Sequence, residues 1–266
     1  MRTMESATLA RVTIATVSLE RPWVSLVDHL RERFGSSLRR VALDAGFTCP
    51  NRDGTRGRGG CSYCDQRGSG TGAARRGEDL ARQLQTGIDR VRPDGSDQPV
   101  IAYFQAFSNT YGTTGEVAEA LSAVDRLRSP SDVALVSIAT RPDCLGEGIL
   151  DVLEEYAGRR PLWIELGLES ADDAVLERAG RTQTAAEFTD AATRAEARGL
   201  EVVAHAIAGL PGEKPGGAAR AAALMAAAGV SGAKLHQCMV LRGTRLARLW
   251  RQGRMQTLDV DAYVEE

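Results

Sequence analysis

"FTCPNRDGTRGRGGCSYCDQRGSG", Phe47 to Gly70, is unlike the sequence on either side of it. It is rich in glycine and arginine and has almost no aliphatic side chain, so it cannot build a hydrophobic core. It carries Cys49, Cys61 and Cys64, three of the chain's 5 cysteines. The segment before it, "LRRVALD" (Leu38–Asp44), reads as a strand, and the segment after it, "RGEDLARQLQTGIDRVR" (Arg76–Arg92), as a helix. The cysteines therefore sit on a βα loop, and that placement sets the frame for the rest of the chain.

The same rhythm repeats outward from the loop. "PVIAYFQAF" (Pro99–Phe107) precedes helical "TGEVAEALSAVDRLR" (Thr114–Arg128), and "VALVSIAT" (Val133–Thr140) precedes "LGEGILDVLEEYA" (Leu145–Ala157). "LWIELGLE" (Leu162–Glu169) leads through a short helical turn near Asp172–Ala179 to "AAEFTDAATRAEARG" (Ala185–Gly199). "EVVAHAIAGL" (Glu201–Leu210) precedes "PGGAARAAALMAAAG" (Pro215–Gly229), and "AKLHQCMVL" (Ala233–Leu241) precedes "TRLARLWRQG" (Thr244–Gly253). The strands read as nearly continuous apolar runs, as in a parallel sheet covered on both faces. Right-handed crossovers would wind the six βα units into one sheet. Six units are fewer than the eight of a closed barrel, which leaves a doubly wound open sheet or a partial barrel. Either architecture places function at the C-terminal ends of the strands. Polar residues recur there: Gln105, Ser108 and Asn109; Thr140, Arg141 and Asp143; Glu169 and Ser170; His205; His236 and Gln237.

Composition bounds the function. At 266 residues, 43% hydrophobic and 26% charged, the chain has the make-up of a soluble globular protein. A net charge of −2 argues against a protein that coats nucleic acid, although a local basic patch is compatible with it. Lys214 and Lys234 are the only lysines, so the basic residues are nearly all arginine. Residues 1–22 lack the uninterrupted apolar run of a signal peptide, and no run is long enough to cross a membrane. A cytoplasmic location is expected, where clustered cysteines point to metal or redox chemistry rather than disulfides.

The spacing C-x11-C-x2-C lets two thiolates converge from one turn, with Gly59 and Gly60 permitting the tight backbone. Three thiolates fit a zinc site completed by His205 or His236, or an iron–sulfur cluster with one incompletely ligated iron. Cys144 and Cys238 could supply a fourth thiolate, but each lies in or beside an apolar run, where a structural cysteine is the commoner use. Spacing alone leaves zinc and iron–sulfur both open.

"LDAGFTCPNRDGTRGRGGCSYC" resembles the signature of the YhcC-type radical S-adenosylmethionine proteins, relatives of the radical domain of the Elongator catalytic subunit. The resemblance continues in order through "YFQAFSNTY", "SIATRPDCL", "WIELGLESADDAVLERAGRTQT", "VVAHAIAGLPGE" and "KLHQCMVLRGTRLARLW". It implies a (β/α)6 partial TIM barrel over residues 38–255, preceded by an N-terminal extension and helix (1–37) and followed by a short C-terminal segment (256–266). It implies a [4Fe–4S] cluster on Cys49, Cys61 and Cys64, S-adenosyl-L-methionine on the open iron, and generation of a 5′-deoxyadenosyl radical. By the same resemblance, the segment Gln105 to Asn109, with Ser108, meets the methionine amino group. Glu169 and Ser170 lie near the ribose and carboxylate, Arg181 pairs with the carboxylate, His205 reaches the ribose, and Gly209 to Pro211 run beside the adenine.

Some positions depart from the family. Arg-Gly-His-Thr is usual where this chain reads "RTQT", so Thr182 and Gln183 replace Gly and His. Elongator-type relatives carry a glutamate where this chain has Ala139, and the Elongator subunit's acetyltransferase domain is not expected from the residues that follow the sixth unit here. The implied partners are an external electron donor of the flavodoxin or ferredoxin type and, by analogy with the Elongator domain, tRNA. Arg52, Arg56, Arg58, Arg67, Arg75 and Arg76 around the loop, and Arg242, Arg245, Arg248, Arg251 and Arg254 at three-residue spacing, are candidates for phosphate contacts. An aromatic content of 5% weakens the case for base stacking. The alternatives are a small metabolite or peptide as substrate, or a zinc or iron–sulfur binding protein without catalysis.

Overall fold

The computed structural model describes residues 23–126 and 132–266, and the chain divides into two compact units, Met1–Leu38 and Arg39–Glu266. Most of the expected N-terminal extension, and the end of the helix expected to reach Arg128, lie outside the described residues. In the first unit, α1 (Leu26–Phe34) begins at Ser25, whose hydroxyl accepts the Asp28 amide at 3.1 Å, and ends at Gly35 with φ 73°.

In the second unit, six parallel strands pair in chain order and form a curled half-barrel. They are β1 (Arg39–Leu43), β2 (Val100–Phe104), β3 (Val133–Thr140), β4 (Leu162–Glu169), β5 (Glu201–Ala208) and β6 (Gly232–Gln237). The helices that follow the strands are α2 (Leu80–Val91), α3 (Thr114–Asp125), α4 (Glu147–Ala157), α5 (Asp173–Arg178), α6 (Ala185–Ala197), α7 (Gly217–Ala227) and α8 (Arg245–Arg251). Reciprocal capping boxes, Thr113 with Glu116 and Thr184 with Glu187, fix the starts of α3 and α6. The second helix begins later than its apolar spacing suggests. Gly77 closes a separate 3-10 turn at Ala74–Arg76, and the Asp79 carboxylate then caps α2 by accepting the Arg82 amide at 2.8 Å.

One face of the sheet is apolar. Val41, Leu43, Phe104, Val136, Ile138, Ile164, Leu166, Leu168 and Val202 pack against Leu84, Ile88, Leu121, Leu150, Leu153 and Phe188 of the helices in one continuous core. Each such side chain contributes about 1.5–3 kcal/mol when fully buried. The opposite, inner face carries Arg40, Tyr103, Ser137, Glu165, His205 and Lys234, at the alternate positions of the same strands. The expectation of apolar residues on both faces therefore holds on the helix-covered face only. The inner face lines a cavity, where polar groups can be used.

Residues 256–266 fold back onto this unit and include a last short helix, α9 (Val260–Val264). The Gln237 amide donates to the Leu258 carbonyl at 2.6 Å. The Glu266 carboxylate accepts the Gly216 and Ala218 amides at 3.2 and 3.1 Å, supplying the cap that Gly216 lacks at the start of α7. Among the described residues no helix is long and apolar enough to cross a membrane.

Candidate functional site

The cysteine loop leaves β1 at Asp44, whose backbone is clamped by the Gln83 side chain of α2 through bonds of 2.8 and 2.9 Å. Turn hydrogen bonds then shape it, with the Arg52 amide to Cys49 O at 2.8 Å, Gly60 to Asn51 O at 2.9 Å and Cys64 to Cys61 O at 3.2 Å. Gly59 and Gly60 take φ of 81° and 79°, a left-handed pair that a side chain would oppose. Polar anchors replace the missing apolar ones. Buried Asn51 donates to Gly180 O at 2.6 Å and to Cys61 Sγ at 3.3 Å. The Ser62 amide donates to Ala179 O at 2.7 Å, and Arg245 of α8 donates to Gly60 O at 3.0 Å.

The three cysteines line one cavity of about 290 Å³ at the C-terminal end of the half-barrel, together with Gln105, Ser108, Glu169, Arg181 and His205. Two other expected site residues lie behind its wall. Asn109 is fully buried and its amide donates to Phe104 O and Ala139 O, both at 2.9 Å, which ties the ends of β2 and β3 together. Ser170 donates to Glu213 at 2.7 Å and accepts the Asp172 amide. Burial, with Asp143 nearby, pushes the Cys144 thiol up to about 12, and burial alone pushes Cys238 to about 11. Both are poor thiolates. Among the described residues the non-glycine positions with left-handed backbone are Ser69, Phe107 and Glu169, and all three line this cavity. Strained backbone gathers where a side chain must be aimed rather than relaxed.

Arg181 is buried and central. It pairs with Glu169 at 3.2 Å, donates to Gly167 O at 2.9 Å and to the Tyr63 hydroxyl at 3.3 Å, and points a nitrogen at Cys61 Sγ from 4.0 Å. Burial lowers its pKa, but the negative groups around it, Glu169 among them, outweigh that and raise it well above the usual value. Arg52 stacks on Phe107 with its guanidinium 5.3 Å from the ring centre and donates to Cys64 Sγ at 3.0 Å. Burial raises the Cys64 thiol pKa, and Arg52 works against it. The departures at 182 and 183 have structural roles. Thr182 donates to Asn51 at 2.9 Å and accepts from Arg141 at 3.2 Å, while Gln183 donates to Gly167 O at 2.6 Å, so the turn is stitched to the cysteine loop and to β4.

Glu165 was not among the sequence candidates, yet it sits at the hub of the inner face. It is fully buried and accepts from Ser137 at 2.7 Å, with His205 Nε2 at 2.7 Å and Arg40 and Lys234 both at 3.5 Å. Burial would raise its pKa, but the His205 hydrogen bond and the charges of His205, Arg40 and Lys234 hold it far below the carboxylate range. The signal was present in "LWIELGLE": Trp163, Glu165, Gly167 and Glu169 alternate with Leu162, Ile164, Leu166 and Leu168.

Among the described residues no three His, Cys, Asp or Glu side chains are gathered closely enough to hold a single metal ion. A four-iron cluster is far larger than one ion and asks for a wider ligand spacing. The donor set suits it: three free thiols face one cavity, and Asn51 and Arg52 aim N–H groups at two of the sulfurs.

Residues 51–225 match the radical SAM superfamily, and residues 230–266 match the Radical_SAM C-terminal domain. The chain is 37% identical over 246 residues to the uncharacterized protein YtqA of Bacillus subtilis, covering 92% of this chain and 76% of YtqA. It is 34% identical over 235 residues to protein YhcC of Escherichia coli K12, covering 88% of this chain and 74% of YhcC. Its fold is similar to archaeal Methanocaldococcus infernus Elp3, with a TM-score of 0.63 and 16% identity over 86% of this chain. It spans about half of that structure, 52%. A family match over residues 51–225 and sequence similarity over most of the length lead to one assignment: the chain belongs to the radical SAM superfamily.

Proposed function

We propose that the chain is a radical S-adenosylmethionine enzyme, in which Cys49, Cys61 and Cys64 hold a [4Fe–4S] cluster and the adjoining cavity takes S-adenosylmethionine. The observation that carries this reading is the opening of all three thiols onto one cavity shared with Arg181, Glu169, Gln105 and His205. When bound, the cluster and S-adenosylmethionine supply a 5′-deoxyadenosyl radical for hydrogen-atom abstraction from a substrate. Asn51 and Arg52 donate to the sulfurs of Cys61 and Cys64, so N–H groups already face two of the atoms that would hold the cluster. Arg181, fixed by Glu169 and Gly167 O, presents a cation to the cofactor carboxylate. The electron would come from an external flavodoxin- or ferredoxin-type donor. Anaerobic reconstitution, iron and sulfide analysis, and a deoxyadenosine assay with dithionite test the proposal. Stoichiometric zinc without iron uptake would overturn it.

The proposed substrate is tRNA. What supports this beyond resemblance is a set of arginines with no ion pair among the described residues: Arg58 and Arg75 beside the loop, and Arg242, Arg248 and Arg254 around α8. Arg56 is a poorer candidate, because it is held by Asp143 at 3.0 Å and Glu187 at 2.6 Å. Replacing Arg58 and Arg75 together with alanine should flatten the log–log salt dependence of tRNA binding by about one to two units. Absence of tRNA binding at low salt would leave a small molecule in the barrel as the substrate.

A further inference from the structure

The cavity has a second polar tier, deeper along the strands than Glu169 and Arg181, lined by Glu165, Tyr103, His205, Lys234 and His236, with Arg40 of β1 reaching Glu165 from outside the lining. Each comes from a strand, and β1, β2, β4, β5 and β6 all contribute. Its charges do not balance. Glu165 is one carboxylate facing two basic side chains, Arg40 and Lys234, while Glu169 is already matched by Arg181. Burial lowers the Lys234 pKa, Glu165 opposes that, and an incoming anion would favour its ammonium form further. The tight contacts of Glu165 go to Ser137 and His205 at 2.7 Å. Both cations stand off at 3.5 Å, beyond the 2.7–2.9 Å typical of a charge-assisted hydrogen bond. An ammonium has three donors, and that of Lys234 spends them on this one long contact and on the face of the Tyr103 ring 5.6 Å away. His236 lies beside His205, ring centres 5.3 Å apart, and makes no hydrogen bond to a described residue. Surplus positive charge in a half-buried cavity is costly until an anion answers it.

We propose that this tier is a second ligand subsite, for a small molecule carrying a carboxylate or phosphate, with Lys234 as its main contact and His205 and His236 beside it. The subsite rests on the reading above only in sharing the cavity, and it can be tested on cluster-free protein. The chain has 3 histidines, His29, His205 and His236, so their imidazole NMR signals report the site against an internal reference. Inorganic phosphate and succinate are titrated separately into the full chain. Saturable shifts of His205 and His236, with His29 unmoved, are expected from at least one of the two, and the stronger response identifies the anion class. Lys234→Met should weaken that binding at least tenfold, as loss of a charged hydrogen bond of about 1.5–3 kcal/mol implies. Glu165→Gln should tighten it by removing the competing carboxylate. His236→Gln, which leaves the Glu165 contacts intact, should weaken it even if Lys234→Met fails to fold. Shifts that do not saturate, affinity unchanged in His236→Gln, or displacement of the probe by S-adenosylmethionine would overturn the proposal, the last by assigning these charges to the cofactor. Iron content and deoxyadenosine formation are read separately, so failure of the subsite and failure of the radical reading are distinguishable.

Discussion

Burial, Lys234 and His205 together lower the pKa of His236 to about 4, against the opposing charges of Glu169 and Glu165. An unfolded histidine takes its proton near about pH 6.5, so between those two values the unfolded chain binds the extra proton. The stability tied to neutral His236 is complete above about pH 6.5 and is lost as pH falls toward 4. Urea unfolding across that window should show a decline that His236→Gln makes shallower. The depressed pKa of Glu165 places its own loss at lower pH, as the solution falls through its folded value. Among the cysteines, Ala at 49, 61 or 64 should abolish iron retention, whereas Cys144→Ala and Cys238→Ala should keep it, as iron and sulfide analysis will show. The three thiols were legible in the sequence because spacing on a core-less loop is a local signal. Glu165 was not, because its partners come from distant strands and only the barrel brings them to it. Asn109 and Ser170 share a loop with cavity residues, but their side chains turn to carbonyls and to Glu213 instead.

Elements were read best where one pattern acts alone. The third and fourth strands occur with the bounds their apolar runs suggest, Val133–Thr140 and Leu162–Glu169. The second strand stops at Phe104 rather than Phe107, because the chain turns there to bring Gln105 and Ser108 to the cavity. Helix α2 carries a glycine, Gly87, whose added Cβ would lie 2.1 Å from Val41 Cγ1 of β1. The bare backbone lets the helix seat directly on the strand. Gly87→Ala gains about 1 kcal/mol in helix propensity but overpacks this contact at about 1–3 kcal/mol. The expected outcome is a lower urea midpoint, the reverse of what an exposed helix would give.

For the molecule as a whole, the number and order of βα units were legible in the alternation, whereas the partial barrel, which the structure bears out, came from the resemblance and not from periodicity. An open sheet and a partial barrel share the same alternation, and only side-chain packing across the inner face distinguishes them. Ligand linkage gives a test at this scale. S-adenosylmethionine at about 100 times its Kd should stabilise the folded chain by about 2.7 kcal/mol, roughly 5–10 °C in Tm, and should do so in reconstituted protein more than in the Cys61→Ala variant. The incomplete ring has a further consequence. Among the described residues the strands run in the order β1 to β6 without closure, so β1 and β6 each have a sheet neighbour on one side only, while β3 and β4 are flanked on both. The outer edge of β6 has no strand partner among the described residues, and Leu235 on that strand is exposed. In deuterium oxide the label should therefore enter from the rim, reaching β6 early and β3 and β4 last. A ligand held by Lys234 and His236 would slow uptake at that rim and leave the already protected centre unchanged.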